Sequence, residues 1–458
     1  MRALEELSRT VLLCRDYVAD ALSDEEICSC CRRHVLCVAD ERNLSSHSGQ
    51  TALLTLVSLL NRMGLQVHLE IPEVGILLPQ PPLCGPFLRR ALVESSETLV
   101  GGATVQVGGS FGPELIFVLG DTDFEVGNVL SWRLYGGDWH GRLTRGEKVQ
   151  AWTAQWPVGG MVSAALAANE AFKFVMRCLP FRQRSDNVYF ELSHSCVWDF
   201  GSVPVPVDGV EIGGVDMISG GAILQAALYS LLRLPGLRMS GRVFDDDITG
   251  PSNLNRNMLT VAKDVGLAKV KVIARHCGPD LRVEPVAARF EGEFAESVVL
   301  SGRVLVGVDD IPSRWVVQRH APSWLAVSGT SHFGISSSAH NPTDPCSGCL
   351  HPIDDEAGLR PIPTVSYVSF WAGLAMAVRL VREAIEHPYA RSRQQLWLSP
   401  LRMEEPHATV WSPVAARRDC PVQCSASRSL EARSACCSLT NSGLKVQDPS
   451  PRTRCKNS

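Results

Sequence analysis

Apolar residues along this chain alternate between two periods. SGQTALLTLVSLLNRMGLQVHLEIP (48–72) opens on Ser-Gly, sets Leu and Ala at helical spacing, breaks at Gly-Leu and continues as a short strand. SGGAILQAALYSLLRLPGLRMSGRVFDDD (219–247) follows the same plan. ELIFVLGDTD (114–123) and RVLVGVDDIP (303–312) are continuous apolar runs of the fully buried, parallel-strand type, each closing on Gly and acids. WPVGGMVSAALAANEAFKFVMRCL (156–179) and IPTVSYVSFWAGLAMAVRLVREAI (362–385) are each a turn followed by a long, Ala-containing apolar helix.

Three landmarks repeated in one order predict two related halves, about 1–200 and 201–400, each α/β with a largely parallel sheet. Any two α/β units share features of this kind, so the pattern alone leaves a common origin open. PFRQRSDN and the VPVPVDG run, within 180–210, read as the connection. Beyond Cys424 the chain turns rich in Ser, Arg and Lys without periodicity, and 426–458 is expected to be disordered.

Composition narrows the class. A chain of 458 residues with 45% hydrophobic content has material for more than one core. A net charge of -4 argues against a nucleic-acid binder, which needs a basic field. No run approaches the roughly 20 apolar residues of a membrane span. The N-terminus, MRALEELSRT, carries acids within its first ten residues, unlike a secretory signal. Sixteen cysteines are too dilute for a disulfide scaffold, so reduced thiols or metal ligands in the cytoplasm are expected.

The chemistry concentrates in FDDDITGPSNLNRNMLTVAKDVGLAK, Phe244 to Lys269. Three acids end an apolar strand, an Asn-Leu-Asn-Arg run follows, and Lys269 comes after a Gly-Leu-Ala turn. A solvated loop is one reading of these residues; a nucleotide site at the carboxyl end of a parallel strand is the other. The first half lacks the equivalent. QVHLEIPEV after Gly64 has no acidic cluster and no Asn-x-x-Arg run, which suggests one working site per chain.

Read in order, these motifs resemble the ThiF/MoeB family of adenylyltransferases, which includes the ubiquitin-activating enzymes. The specific motifs cover about 210–425; the first half is similar only in pattern. The resemblance implies two Rossmann-like halves, one inactive, fused as an intramolecular pseudo-dimer. It implies ATP and Mg²⁺ as reactants, and a small ubiquitin-like (β-grasp) or sulfur-carrier protein as partner, adenylated on its C-terminal carboxylate. Gly220 and Gly221 would form the phosphate turn, with Ser219 and Leu224 where the family has its other two glycines. Leu224 would crowd the helix–strand contact there. Asp245 and Asp247 match the family's Asp-x-Asp pair, Asp247 facing the ribose. Asn253 and Arg256 match its Asn-Leu-x-Arg run, with Asn257 in place of a common Gln, and Lys269 matches the lysine that neutralises the triphosphate. Asp309 would hold Mg²⁺, and Arg314 would support its loop. An arginine from the opposing half completes such sites; Arg9, Arg15 and Arg42 are candidates that no local motif separates.

PCSGCLHP and RRDCPVQC pair Cys346 with Cys349 and Cys420 with Cys424. Each pair can bite one tetrahedral ion, and the family carries such pairs around a structural zinc. Reduced structural thiols are the alternative. His340 and His351 flank the first pair and are expected on the loop surface. The following stretch, HPIDDEAGLRPIPTVSYVSF, lacks the cysteine on which conjugating members form a thioester. The chemistry then stops at the acyl-adenylate, takes a thiol from elsewhere, or uses Cys346 or Cys349. ICSCCRRHVLC (Cys28, Cys30, Cys31, Cys37) is either a reactive patch or core packing. Two other classes remain: a scaffold of the same fold whose altered glycine turn no longer admits ATP, and a nicotinamide-dependent oxidoreductase. The latter has no triphosphate for Lys269 and Arg256 to meet.

Overall fold

The structure, a computed structural model, describes residues 2–18, 22–96, 99–108, 112–180, 194–353, 363–405 and 407–430. Residues 181–193 of the connection, 354–362 of the stretch after the first cysteine pair, and 431–458 of the tail lie outside the described residues.

Two sheets share one strand order. The first runs β3-β2-β1-β4-β5-β6-β7, from β1 (His34–Val38), β2 (Gln66–Glu70), β3 (Val105–Val107), β4 (Leu115–Leu119), β5 (Leu130–Gly136), β6 (His140–Thr144) and β7 (Ser195–Asp199). The second runs β10-β9-β8-β11-β12-β13-β14-β15. Its strands are β8 (Glu211–Ile218), β9 (Arg238–Phe244), β10 (Leu281–Val286), β11 (Arg303–Val306), β12 (Trp324–Ser331), β13 (Gly334–His340), β14 (Gln395–Leu398) and β15 (Thr409–Ser412). In each sheet the first five strands in space pair parallel and the rest antiparallel. The two buried apolar runs, β4 and β11, hold the same place, next to the first strand of their half. Each half is Rossmann-like, and the repeat legible in the sequence is a repeat of topology.

The helices are α1 (Arg2–Glu6), α2 (Ser8–Val18), α3 (Asp24–Cys30), α4 (His47–Arg62), α5 (Leu88–Ser96), α6 (Val158–Cys178), α7 (Ala222–Leu231), α8 (Lys269–Ala274), α9 (Gly292–Ser297), α10 (Ile311–Arg319), α11 (Ser347–Leu350) and α12 (Ser366–Ala384). α4 is buried over its whole length, and α6 and α12 nearly so. A helix covered on every side needs neighbours on every side. Here each packs on its own sheet and on the other half. Thr55 Oγ1 of α4 meets the Tyr229 hydroxyl of α7 at 3.1 Å, Ser366 Oγ of α12 donates to the Leu59 carbonyl at 3.0 Å, and the Trp371 indole donates to Asn169 Oδ1 of α6 at 3.2 Å. One continuous apolar core runs from Leu7 to Leu401 through both halves. None of the helices among the described residues is long and apolar enough to cross a membrane.

Candidate active site

In an open parallel sheet, ligands bind outside the carboxyl ends of the strands where the strand order reverses. In the second half that point lies between β8 and β11. A cleft of about 270 Å³ opens there, lined among others by Gly221, Asp247, Arg256, Lys269 and Asp309.

The turn after β8 departs from an all-glycine design, and the structure gives the compensation for each departure. Ser219 sits at φ 100°, a conformation that costs an L residue on the order of 1–3 kcal/mol. Its Oγ accepts the Gly221 N–H at 3.0 Å, tightening the turn. Leu224 is buried against Gly307, at the end of β11, where a Cβ would collide with the leucine methyl. The expected crowding by Leu224 is therefore absent: the strand supplies the missing side chain's space, and the leucine does not line the cleft. Gly220 also stands off the cleft lining; its N–H donates to Asp245 Oδ2 at 2.6 Å.

Asp245 accepts the Asp247 N–H as well, at 2.8 Å, so its carboxylate clamps the two loops together. Asp247, mostly exposed, forms an ion pair with Lys269 at the start of α8. Lys269 is buried except for about a tenth of its side chain, and only its tip reaches the cleft. Asn253 caps its own turn, Oδ1 accepting the Gly250 N–H at 2.8 Å. Arg256 donates to the Ser252 carbonyl and, at 2.9 Å, to Asn255 Oδ1. Burial and then the neighbouring Arg9 push its guanidinium down to about 10, opposed by Asp309, so it stays charged at neutral pH. Asn257 is buried at the cleft wall, and neither atom of its amide has a partner in the protein among the described residues. A buried amide without partners is costly unless a ligand or water meets it.

Asp309 is exposed on the loop after β11, with no hydrogen bond among the described residues. Asp310 caps α10 by accepting the Ser313 N–H at 2.8 Å, and buried Arg314 donates to the Val308 carbonyl at 3.0 and 3.3 Å. Arg314 thus anchors the loop that presents Asp309.

Of the three candidate arginines from the first half, Arg9 is the one that lines the cleft. It lies on α2, where burial lowers its pKa and the Asp309 charge opposes that shift. Arg15 pairs with Asp24 and Arg42 with Asp121, both away from the cleft. Arg289, which no motif singled out, also lines the cleft and pairs with Glu291 at 3.1 Å.

The BilD N-terminal domain model matches residues 34–184, and the ThiF family model matches residues 236–422. The second half is a ThiF-family domain. An uncharacterized protein (y4jF) of Sinorhizobium fredii is 24% identical over 227 residues, 46% of this chain and 42% of its own length. The SAMP-activating enzyme E1 of Haloferax volcanii is 32% identical over 126 residues, 26% of this chain and 47% of its own length. The chain thus spans less than half the length of both curated relatives. Among solved structures, E. coli MccB with succinimide aligns at 15% identity and a TM-score of 0.38, covering 46% of this chain and 65% of MccB. PaaA aligns at 14% identity and a TM-score of 0.33, over 44% of this chain and 64% of its own.

In the half preceding the ThiF domain, a side chain occupies the position equivalent to the strand end at the cleft. Buried Asn43 fills the space beside Gly120, at the end of β4. Its amide donates to Asp40 Oδ1 at 2.8 Å, Thr122 Oγ1 at 3.1 Å and Asp121 Oδ1 at 3.2 Å, and its oxygen accepts the Trp152 N–H at 2.8 Å. Both polar atoms of the Asn43 amide are thus spent internally.

The ThiF domain also gathers the four cysteines. Cys346, Cys349, Cys420 and Cys424 hold their sulfurs within 4.8 Å of one another, with Cys346–Cys420 at 3.5 Å and Cys349–Cys424 at 3.6 Å. Four thiolates around one tetrahedral zinc, at about 2.3 Å each, sit about 3.8 Å apart, so the set is close to the spacing such an ion needs. The one-residue difference in spacing is absorbed by a turn in which Gln423 takes φ 52°. His340 corrects its expected place: it is buried, its Nδ1 2.8 Å from the Pro345 carbonyl, and not on the loop surface. His351 is half-buried. In the N-terminal cysteine run, Cys28, Cys31 and Cys37 are core residues whose thiols are pushed up, Cys28 and Cys37 by burial and Cys31 by its hydrogen bond with Cys14 and then burial, which leaves them inert.

Proposed function

We propose that this chain is an ATP-dependent adenylyltransferase that activates the C-terminal carboxylate of a small ubiquitin-like or sulfur-carrier protein. The observation that carries the reading is the convergence of Asp247, Arg256, Lys269 and Asp309 on one cleft at the strand-order reversal, joined by Arg9 from the opposite half. Family membership of the second half, and a relative named for activating SAMP, point to the same chemistry.

In this reading Asp247 accepts the ribose hydroxyls, which requires it to leave its ion pair and frees Lys269 for the phosphates. Arg256 and Arg9, which both line the cleft, would meet the charge that builds as the reaction proceeds, and Asn257 offers an amide that has no other partner among the described residues. The carrier's carboxylate oxygen bonds to the α-phosphorus, the bond to the bridging oxygen breaks, and pyrophosphate leaves with that electron pair. The nucleophile is already ionised, so positioning and charge neutralisation are the whole task. Asp309, exposed beside the cleft, would hold Mg²⁺, which when bound offsets phosphate charge. The four-cysteine cluster would hold a structural zinc tying α11 to the 420–424 turn. The chain's own chemistry ends at the acyl-adenylate, because no cysteine lines the cleft among the described residues and Cys346 and Cys349 stand in the cluster. A cytoplasmic setting suits a reduced thiol cluster.

ATP–pyrophosphate exchange, run with and without β-grasp carriers, tests the reading. Carrier-dependent exchange supports it. Tight carrier binding without any ATP binding would replace it with a scaffold of the same fold.

A further inference from the structure

The first half reaches toward the working site through a residue that carries no motif. α4 ends at Arg62, whose side chain is fully buried. Nη1 donates to the Leu254 carbonyl at 2.6 Å; Nη2 donates to the Met258 carbonyl at 3.1 Å and the Thr260 carbonyl at 2.9 Å. Nε faces Ser58 Oγ at 3.4 Å. Three of the four acceptors belong to one loop of the ThiF domain.

That loop is the segment bearing Asn253, Arg256 and Asn257. From Leu254 to Val261 it has neither helix nor strand, so its buried carbonyls have no ladder to pair with. Each buried carbonyl left unmet costs about 1–3 kcal/mol. A guanidinium meets three at once because its five donors are fixed in a planar fork; an ammonium donates from a single atom. No hydrogen bond or ion pair joins Arg62 to a carboxylate among the described residues, and burial pushes its guanidinium down to about 10, still charged at neutral pH. A buried cation bonded to carbonyl dipoles, with Tyr229 and Asp264 opposing its desolvation only through space, is expensive, and a methionine would pack the same space more cheaply. What the arginine adds is a shape for the loop.

We propose that Arg62 is a positioning residue for the nucleotide site. It holds the 254 and 258 carbonyls on one side of the loop, and the residues between them, Arg256 and Asn257, line the cleft on the other. The Asn257 amide has no partner of its own to locate it, so its aim follows the backbone, which the Asn257 N–H bond to the Asn253 carbonyl at 2.9 Å and the Arg62 bonds hold together. Asn255 adds a second tie, its amide donating to Thr10 Oγ1 at 3.0 Å, one residue from Arg9. The first half thus acts on the site without contributing a binding surface of its own sheet. The inference rests on the reading of the cleft as an ATP site.

The test uses the full chain with Arg62→Lys and Arg62→Gln. Amide hydrogen exchange is followed in 254–260 and, as reference, in β1 and β2. Kinetics of ATP–pyrophosphate exchange give KM for ATP and for the carrier separately. Loss of one or two of the three bonds should speed amide exchange in 254–260 by roughly tenfold or more, with the reference strands unchanged. KM for ATP should rise by a similar factor while the carrier's KM holds. Unchanged amide exchange in the loop, equal shifts in both KM values, or global unfolding of both variants would each overturn the proposal. If the unaltered protein bound no ATP, the reading of the cleft would fail on its own, and the amide-exchange arm would still decide whether Arg62 shapes the loop.

Discussion

The Cδ2 methyl of Leu224 lies where residue 307 would carry its Cβ, and residue 307 is glycine. The usual way to bring a helix close to the first strand is a glycine on the helix. Here the small residue is on the neighbouring strand instead, and the helix keeps a leucine. Gly307→Ala should therefore destabilise the protein by about 1–3 kcal/mol through overpacking. Leu224→Ala alone should cost about 2–5 kcal/mol, yet the double variant should fall short of the sum by at least about 0.5 kcal/mol. Denaturant melts of the four proteins measure this directly, and strict additivity would mean the contact is not a constraint.

Ser219 is the other departure from glycine, and its strain can be released. Ser219→Ala keeps the φ of 100° unfavourable and removes the hydroxyl that accepts the Gly221 N–H. Ser219→Gly removes the hydroxyl but accepts the backbone at no steric cost. The alanine variant should be less stable than the glycine variant by about 1 kcal/mol in urea melts. The reverse order would show that the turn is not held at positive φ.

Asp309 and Arg9 come from opposite halves, and removing either should stop chemistry without unfolding the chain. Asp309 is exposed and makes no hydrogen bond among the described residues, so Asp309→Ala should leave circular dichroism and the melt intact while pyrophosphate exchange disappears. Arg9→Ala should lower kcat by about 10²–10³-fold, the usual cost of losing a group aimed at developing charge. Normal exchange in the Asp309 variant would remove it from the site.

How much of this was legible in advance follows the range of the forces involved. The two halves could be read because α/β periodicity is local: β4 and β11, or α6 and α12, each declare themselves within about twenty residues. That Asp247, Arg256, Lys269 and Asp309 share a cleft could be expected because the first three fall in one short family-like run and Asp309 ends the next buried strand. Arg9 could not be chosen over Arg15 and Arg42, since only the packing of α2 across the half boundary decides which one reaches the cleft. Gly307 and Arg62 were invisible for a related reason. Each compensates a feature far along the chain, an oversized Leu224 and an unladdered loop, and neither sits in a pattern of its own. His340 was misplaced because a histidine beside turn residues suggests a surface, whereas its ring is walled in by Pro345, Ser338 and Gln394.

The cysteine cluster makes an analytical prediction. One zinc per chain should appear by elemental analysis of protein prepared without chelator, and Cys346→Ser should lose it. Because structural zinc contributes folding free energy outright, the serine variant should also melt lower and expose the 346–350 and 420–424 segments to proteolysis. A zinc-free protein with four titratable thiols and an unchanged melt would leave the cysteines as plain core residues.

His340 sets an acid limit on stability that zinc does not explain. Burial holds its imidazole at about 4, against the hydrogen bond to Pro345 and with the nearby Arg379 charge reinforcing the depression. In the unfolded chain the ring titrates near 6.5. Between those values unfolding takes up a proton that the native state refuses, so the contribution is complete above about pH 6.5 and is lost as pH falls toward 4. The full loss is on the order of 3 kcal/mol. His340→Gln offers a neutral amide to the same carbonyl and has nothing to titrate. Its melting temperature should fall less steeply from pH 6.5 to 4.5 than that of the unaltered protein, at equal zinc content. Parallel curves would place the acid sensitivity elsewhere, with the thiolates of the cluster first in line.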